Sequence, residues 1–186
     1  MVSAEILAQT REKMDKGVEF LMEQLKGLRT GRPSPALVEN IRVDAYGSPM
    51  PLKQLASISV PEPRQLLIKP FDPSMVASIE KGLLKSDIGI TPETDGKVVR
   101  LNVPMMTQEQ RDKLVGRVKD EAEKARITIR NIRRDQNKVV EAARKDGDLP
   151  EDDEVRTKDE IQKLTKEMEA RIDEAVAAKS KEMQES

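Results

Sequence analysis

The sequence predicts an α+β chain: a long antiparallel three-helix bundle with a small β/α/β domain inserted between helices one and two. Three observations carry this. Ten of the 11 prolines fall between Pro33 and Pro104 and the eleventh is Pro150, so 1–32 and 105–149 lack the residue that breaks helix interiors. Those two stretches carry apolar residues at helical spacing, whereas 31–105 holds short runs that alternate as strands do. Finally, 36% of the residues are charged and 37% hydrophobic, a balance that suits long amphipathic helices.

In helix one, Met14, Val18, Leu21, Leu25 and Leu28 form one apolar stripe. Ser3 is the expected N-cap, and Gly31 with Pro33 the expected stop. In the insert, Ile41–Val43, Ser57–Val60, Gln65–Lys69 and Val98–Val103 read as strands, and Tyr46–Pro51 as a Gly/Pro turn. Asp72-Pro73-Ser74 opens a helix running through Met75, Val76, Ile79, Leu83 and Leu84, and Gly89–Gly96 reads as a loop. Helix two spans 107–146, roughly 60 Å at 1.5 Å per residue. Thr107 with Gln110 reads as a capping box, and Gly147 is the stop. Its stripe is Leu114, Val118, Ala122, Ala125, Ile129, Ile132, Val139 and Ala143. Pro150 fits the first turn of helix three, with Glu151–Glu154 at its positive end; Thr157 with Glu160 offers a later start, and the earlier one is preferred. Ile161, Leu164, Met168, Ile172, Ala175 and Val176 continue the third stripe.

A lone amphipathic helix is marginal in water, so helix one must rejoin the other two. The expected domains are therefore 1–30 plus 106–186, the bundle, and 31–105, the insert. The two connections, Thr30-Gly31-Arg32 and Val103-Pro104-Met105, are short and carry Gly and Pro, the composition of a hinge.

The inventory excludes much chemistry. The chain has no His, no Cys and no Trp, which removes Ser-His and Cys-His nucleophile systems, thiol redox chemistry, disulfides and ordinary zinc sites. Only oxygen ligands remain for a metal, and the acids at 151–154 lack the spaced EF-hand pattern, so they read as helix-start acids. There is no GxxxxGK[ST], and Gly89–Gly96 is too sparse to cradle phosphates. No cofactor, metal, catalytic group or small-molecule substrate is expected. Met1–Lys13 has no apolar targeting segment, and no apolar run approaches the ~18 residues of a membrane span. The expectation is a soluble cytoplasmic monomer with no membrane partner.

The net charge of −1 conceals a partition. Residues 1–30 are neutral and 31–105 carry +1; 106–146 carry 12 basic against 8 acidic groups, and 147–186 carry 7 against 13. The basic groups of helix two concentrate at Lys124, Arg126, Arg130, Arg133, Arg134 and Lys138, opposed in that stretch by Asp135. On a helical wheel Arg126, Arg130 and Arg133 fall within about 60° of one another, and Lys119 and Asn137 extend the face. The ordinary reading of such a run is a solvated face whose arginines meet acids on neighbouring helices. The sharper reading is a phosphate-binding stripe, favoured by four Arg to two Lys because the planar guanidinium binds two oxygens at once. The chain's aromatics are Phe20, Tyr46 and Phe71, none on helix two, so such a stripe would read backbone and shape.

Five stretches then identify a relationship: Arg29-Thr-Gly-Arg32-Pro-Ser-Pro35, Gln54-Leu-Ala-Ser57, Asp87-Ile-Gly-Ile90, Ala125-Arg-Ile-Thr-Ile-Arg-Asn-Ile-Arg-Arg-Asp135 and Glu160-Ile-Gln-Lys-Leu-Thr165. In this order they resemble the bacterial ribosome recycling factor family over essentially the whole chain. The resemblance implies a long three-helix bundle carrying a small β/α/β domain, an L shape similar in size to tRNA. It implies action after termination, on the large ribosomal subunit, where elongation factor G and GTP hydrolysis help separate the subunits. It places rRNA contacts at Arg130, Arg133, Arg134 and Arg111, with Arg29 beside the hinge; Arg126 comes from the helical wheel alone. The alternative from a different class is a non-enzymatic helical adaptor or chaperone-like protein binding other helices. It requires an apolar stripe left over once the bundle closes.

Overall fold

The computed structural model describes residues 2–185. They divide into two units: residues up to Arg29 with Gln108–Gln184, and Thr30–Thr107 with Glu185.

The first unit is built from α1 (Val2–Lys26), α4 (Gln108–Lys145) and α5 (Glu151–Gln184). Each buries one stripe: Ile6, Met14, Val18, Leu21 and Leu25 on α1, Leu114 to Val140 on α4, and Ile161, Leu164, Met168 and Ile172 on α5. The side-chain pairs give the directions. Thr10 meets Gln136, and a Cβ on Gly17 would sit 3.5 Å from Ile129 Cδ1, so α1 and α4 are antiparallel. Arg11 pairs with Glu167 and Arg171 with Asp15, so α1 and α5 run the same way. One end is closed by Ile6, Val140, Leu149 and Ile161. The turn between α4 and α5 explains how Leu149 gets there. Gly147 takes φ +83°, its N–H bonds to the Arg144 carbonyl (3.1 Å), and Asp148 N–H bonds to that of Ala143 (2.9 Å). This is a Schellman C-cap, which satisfies the last carbonyls and turns the chain inward.

Three sequence expectations are corrected here. Ser3 lies inside α1, and its hydroxyl shares a 2.7 Å hydrogen bond with Thr157 Oγ1 instead of capping the helix. The helix ends at Lys26, where Gly27 and Leu28 close a last turn on Glu23 and Leu25, rather than at Gly31. Val140, not Val139, is the buried residue of α4, and Gln136 fills the step between Ile129 and Val140. The helical period holds, but a polar residue occupies one of its core positions. The earlier start of α5 at Glu151 is the one adopted.

The second unit holds β1 (Arg42–Ala45) and β2 (Ser48–Pro51), a short helix α2 (Leu52–Leu55), β3 (Ala56–Glu62), β4 (Gln65–Pro70), α3 (Val76–Lys85), β5 (Pro92–Asp95) and β6 (Val98–Asn102). Strands β3, β4, β6 and β5 form an antiparallel sheet in that order, and β1 pairs with β2. Alternation buries Leu66, Ile68, Val99 and Leu101 on one face, where they pack with Val43, Leu52, Ile79 and Leu83. Helix α3 lies so close to β1 that a Cβ on Gly82 would stand 2.9 Å from Val43 Cγ2. Asp72 opens the helical segment by accepting from Ser74 N (2.9 Å) and Ser74 Oγ (2.8 Å).

Two segments read as turn and loop contain strands. Within 46–51 only Tyr46-Gly47 is the turn; Ser48–Pro51 is β2. Within 89–96, Pro92–Asp95 is β5, an edge strand that begins at proline. Proline has no N–H for a ladder and is tolerated at such positions, so it hid both strands. Tyr46 and Gly47 take φ of +52° and +83°, the two left-handed residues of a type I′ hairpin turn. Neither core contains an aromatic: Phe20, Tyr46 and Phe71 are all more than three-fifths exposed.

Candidate nucleic-acid interface

Helix α4 presents Arg126, Arg130 and Arg133 along its seam with α5, and the neighbouring helix decides what each can do. Arg126 Nη2 donates to Asp173 Oδ1 at 2.8 Å. Arg130 Nε lies 3.8 Å from Glu169 Oε1, and its Nη1 lies 3.5 Å from Glu123. Further along, Lys158 Nζ donates to Glu141 at 2.9 Å, and Arg144 Nε meets Glu154 at 3.2 Å. Each advance along α4 is matched by a nearly equal retreat along α5, as antiparallel helices require. Arg126, Lys158 and Arg144 thus help close the seam, while Arg130 faces its two acids at longer distances.

Arg133 breaks the ladder. It is half-buried, and its Nη1 donates to a neutral acceptor, Gln162 Oε1, at 3.2 Å. Arg134 beside it is exposed and has no side-chain partner among the described residues. Nearby Lys138 is occupied only loosely, 3.9 Å from Asp135. Uncompensated positive charge thus collects at Arg133 and Arg134.

The other predicted residues are separate from this group. Arg111 is half-buried in the first turn of α4, about 22 Å before Arg126 along the helix. Arg29 is exposed just beyond α1. Of the residues expected to form a hinge, Thr30 and Val103 are buried, while Arg32, Pro104 and Met105 are exposed. Arg32 Nη1 lies 3.5 Å from Glu185. Gly31 has φ +77°, and a Cβ there would stand 2.9 Å from Met106 Cγ and Sδ.

Two features were missed from sequence. Gln162 is the partner that leaves Arg133 charged, and counting an antiparallel register from the Gly147–Pro150 turn would have placed it near the stripe. The other is the pairing of Glu154: the acids at 151–154 form the first turn of α5, as the sequence predicts, but Glu154 also accepts Lys158 (3.0 Å) and Arg144. Among the described residues no helix is long and apolar enough to cross a membrane.

Comparison with known proteins agrees with this architecture. The family model described as ribosome recycling factor matches residues 21–183. A ribosome-recycling factor of Desulforamulus reducens is 46% identical over 179 residues, 96% of this chain and 97% of that one. One from Listeria welshimeri is 46% identical over 184 residues, covering 99% and 100%. Among solved structures, a solution structure of the ribosome recycling factor superposes with a TM-score of 0.77 at 35% identity, covering 100% of this chain and 99% of that one. A second, at TM-score 0.64 and 39% identity, covers 98% and 99%; it belongs to models of the T. thermophilus ribosome recycling factor and E. coli elongation factor G bound to the E. coli post-termination complex.

Proposed function

This chain belongs to the ribosome recycling factor family, and on that premise we propose that it recycles ribosomes after termination, splitting the post-termination complex into subunits together with elongation factor G and GTP. The observation that carries the reading within this molecule is the interrupted ion-pair ladder. Arginine is kept uncompensated at Arg133 and Arg134 where the rest of the seam is neutralised. Such a face suits the phosphates of large-subunit rRNA, which are recognised by position and shape.

Arg130, Arg133 and Arg134 are the principal contacts in this proposal, with Arg111 and Arg29 as outlying ones and Arg126 chiefly a seam residue. Free energy for separation comes from the partner's GTP hydrolysis, so the chain is assigned no catalytic group. Its site of action is the cytoplasm, and it works as a monomer. Thr30–Arg32 and Val103–Met105 serve as the hinge. The helical-adaptor alternative loses support because the stripes of α1, α4 and α5 are buried.

Light scattering of post-termination ribosomes with elongation factor G and GTP tests the proposal. Adding this chain should accelerate subunit dissociation, and Arg133→Ala should slow it. No gain over the partner alone would overturn the reading.

A further inference from the structure

We propose that Arg133 of α4 and Lys166 of α5 form a two-cation site for a single rRNA phosphate across the α4–α5 seam, with Gln162 as the residue that positions Arg133. The inference rests on the rRNA-binding reading above and adds α5 to it. The pairs Arg126–Asp173, Arg130–Glu169 and Glu141–Lys158 keep one strict register: four residues forward on α4 are four back on α5, and eleven are eleven. The same register sets position 166 opposite Arg133. That residue is Lys166, exposed and without a partner among the described residues. Each of those three rungs joins opposite charges, whereas this register position sets two cationic residues against each other.

Nearby acids do not resolve the clash. Glu169 is taken by Arg130, Glu160 by Lys163 at 2.6 Å, and Asp135 faces Lys138. Arg133 instead leans one turn along α5 to Gln162. An amide carbonyl orients the guanidinium through one N–H without neutralising it. The remaining N–H groups of its fork, and the ammonium of Lys166, are left for an outside anion. Two like charges held together oppose folding, and a phosphate between them removes that opposition while gaining charge-assisted hydrogen bonds.

The test is binding to isolated large ribosomal subunits as a function of salt, alongside thermal melting of each variant. Lys166→Ala should weaken binding and lower the slope of log K against log salt by roughly 0.7–0.9, the value of one phosphate contact, with the melting temperature unchanged or raised. Lys166→Glu and Gln162→Glu should raise the melting temperature or hold it, by giving Arg133 a carboxylate, yet weaken binding. Better folding with poorer binding is not expected of a merely structural pair. If Lys166→Ala and Gln162→Glu bind as the parent does while Arg133→Ala is weakened, the two-cation site is wrong and the rRNA face stands. If Arg133→Ala also leaves affinity and slope unchanged, the rRNA face itself is wrong.

Discussion

Arg126 and Asp173 are joined across the α4–α5 seam by a 2.8 Å charge-assisted hydrogen bond, and that bond is the leading cause holding the Arg126 guanidinium above the ordinary arginine pKa. Arg126 also lies 3.6 Å from Glu123. Its charge is spent inside the protein. Arg126→Ala should therefore lower stability by about 0.2–1 kcal/mol, with most of the loss absent when Asp173→Ala is already present. Denaturant melts of the single and double variants check this.

Arg134 should behave in the opposite sense. Among the described residues it has no side-chain partner to lose, so Arg134→Ala should change stability by less than about 0.5 kcal/mol. It should nonetheless weaken large-subunit binding more than Arg126→Ala does. Filter binding at two salt concentrations separates the two arginines.

Leu149 links the Schellman turn to the end of the bundle, packed with Ile6, Val140 and Ile161. Leu149→Ala should cost about 2–5 kcal/mol, the range for emptying a buried leucine site. Loss of helical circular dichroism at lower denaturant is the expected result.

Acid should loosen the α1–α5 and α4–α5 seams. Glu167 is held below the ordinary carboxyl value of 4.5 first by its hydrogen bond to Arg11, and Glu141 likewise by Lys158. A carboxyl with a depressed folded pKa contributes stability that is complete above its unfolded pKa and is lost as pH falls through the folded one. Melting temperature should thus be flat near neutrality and decline below about pH 4.3. Glu167→Gln should flatten part of that decline, and thermal melts from pH 7 to pH 3 measure it.

Gly31 and Gly89 separate backbone conformation from crowding. Both have left-handed φ, +77° and +69°, but a Cβ at 31 meets Met106 at 2.9 Å while at 89 it meets nothing within 4 Å. Gly89→Ala should cost about 1–2 kcal/mol from backbone conformation alone. Gly31→Ala should cost more, with the excess relieved by Met106→Ala.

The helices were legible because their signal is local. Proline placement and one apolar stripe per helix need no knowledge of the partner. Gln136 escaped because an apolar pattern skips a polar residue, although Thr10 Oγ1 lies 3.4 Å from its Oε1 in the buried core. Strands β2 and β5 escaped because each is four residues long and carries proline. The arginine line could be drawn on a helical wheel, but Arg126 and Arg133 look equivalent there. What distinguishes them is an acid at 173 and an amide at 162, and which residue of α5 faces which of α4 is a property of the closed turn and the packed seam.

The placement of the aromatics has an optical consequence. With no tryptophan anywhere and Tyr46, Phe20 and Phe71 all at the surface, neither core holds an ultraviolet chromophore beyond the peptide bond. Unfolding of the bundle is nearly silent to intrinsic fluorescence and has to be followed through the backbone. Tyr46, fixed on its hairpin by a 3.0 Å hydrogen bond from its hydroxyl to Asp72 Oδ2, is instead a built-in probe for whatever touches that surface of the second unit.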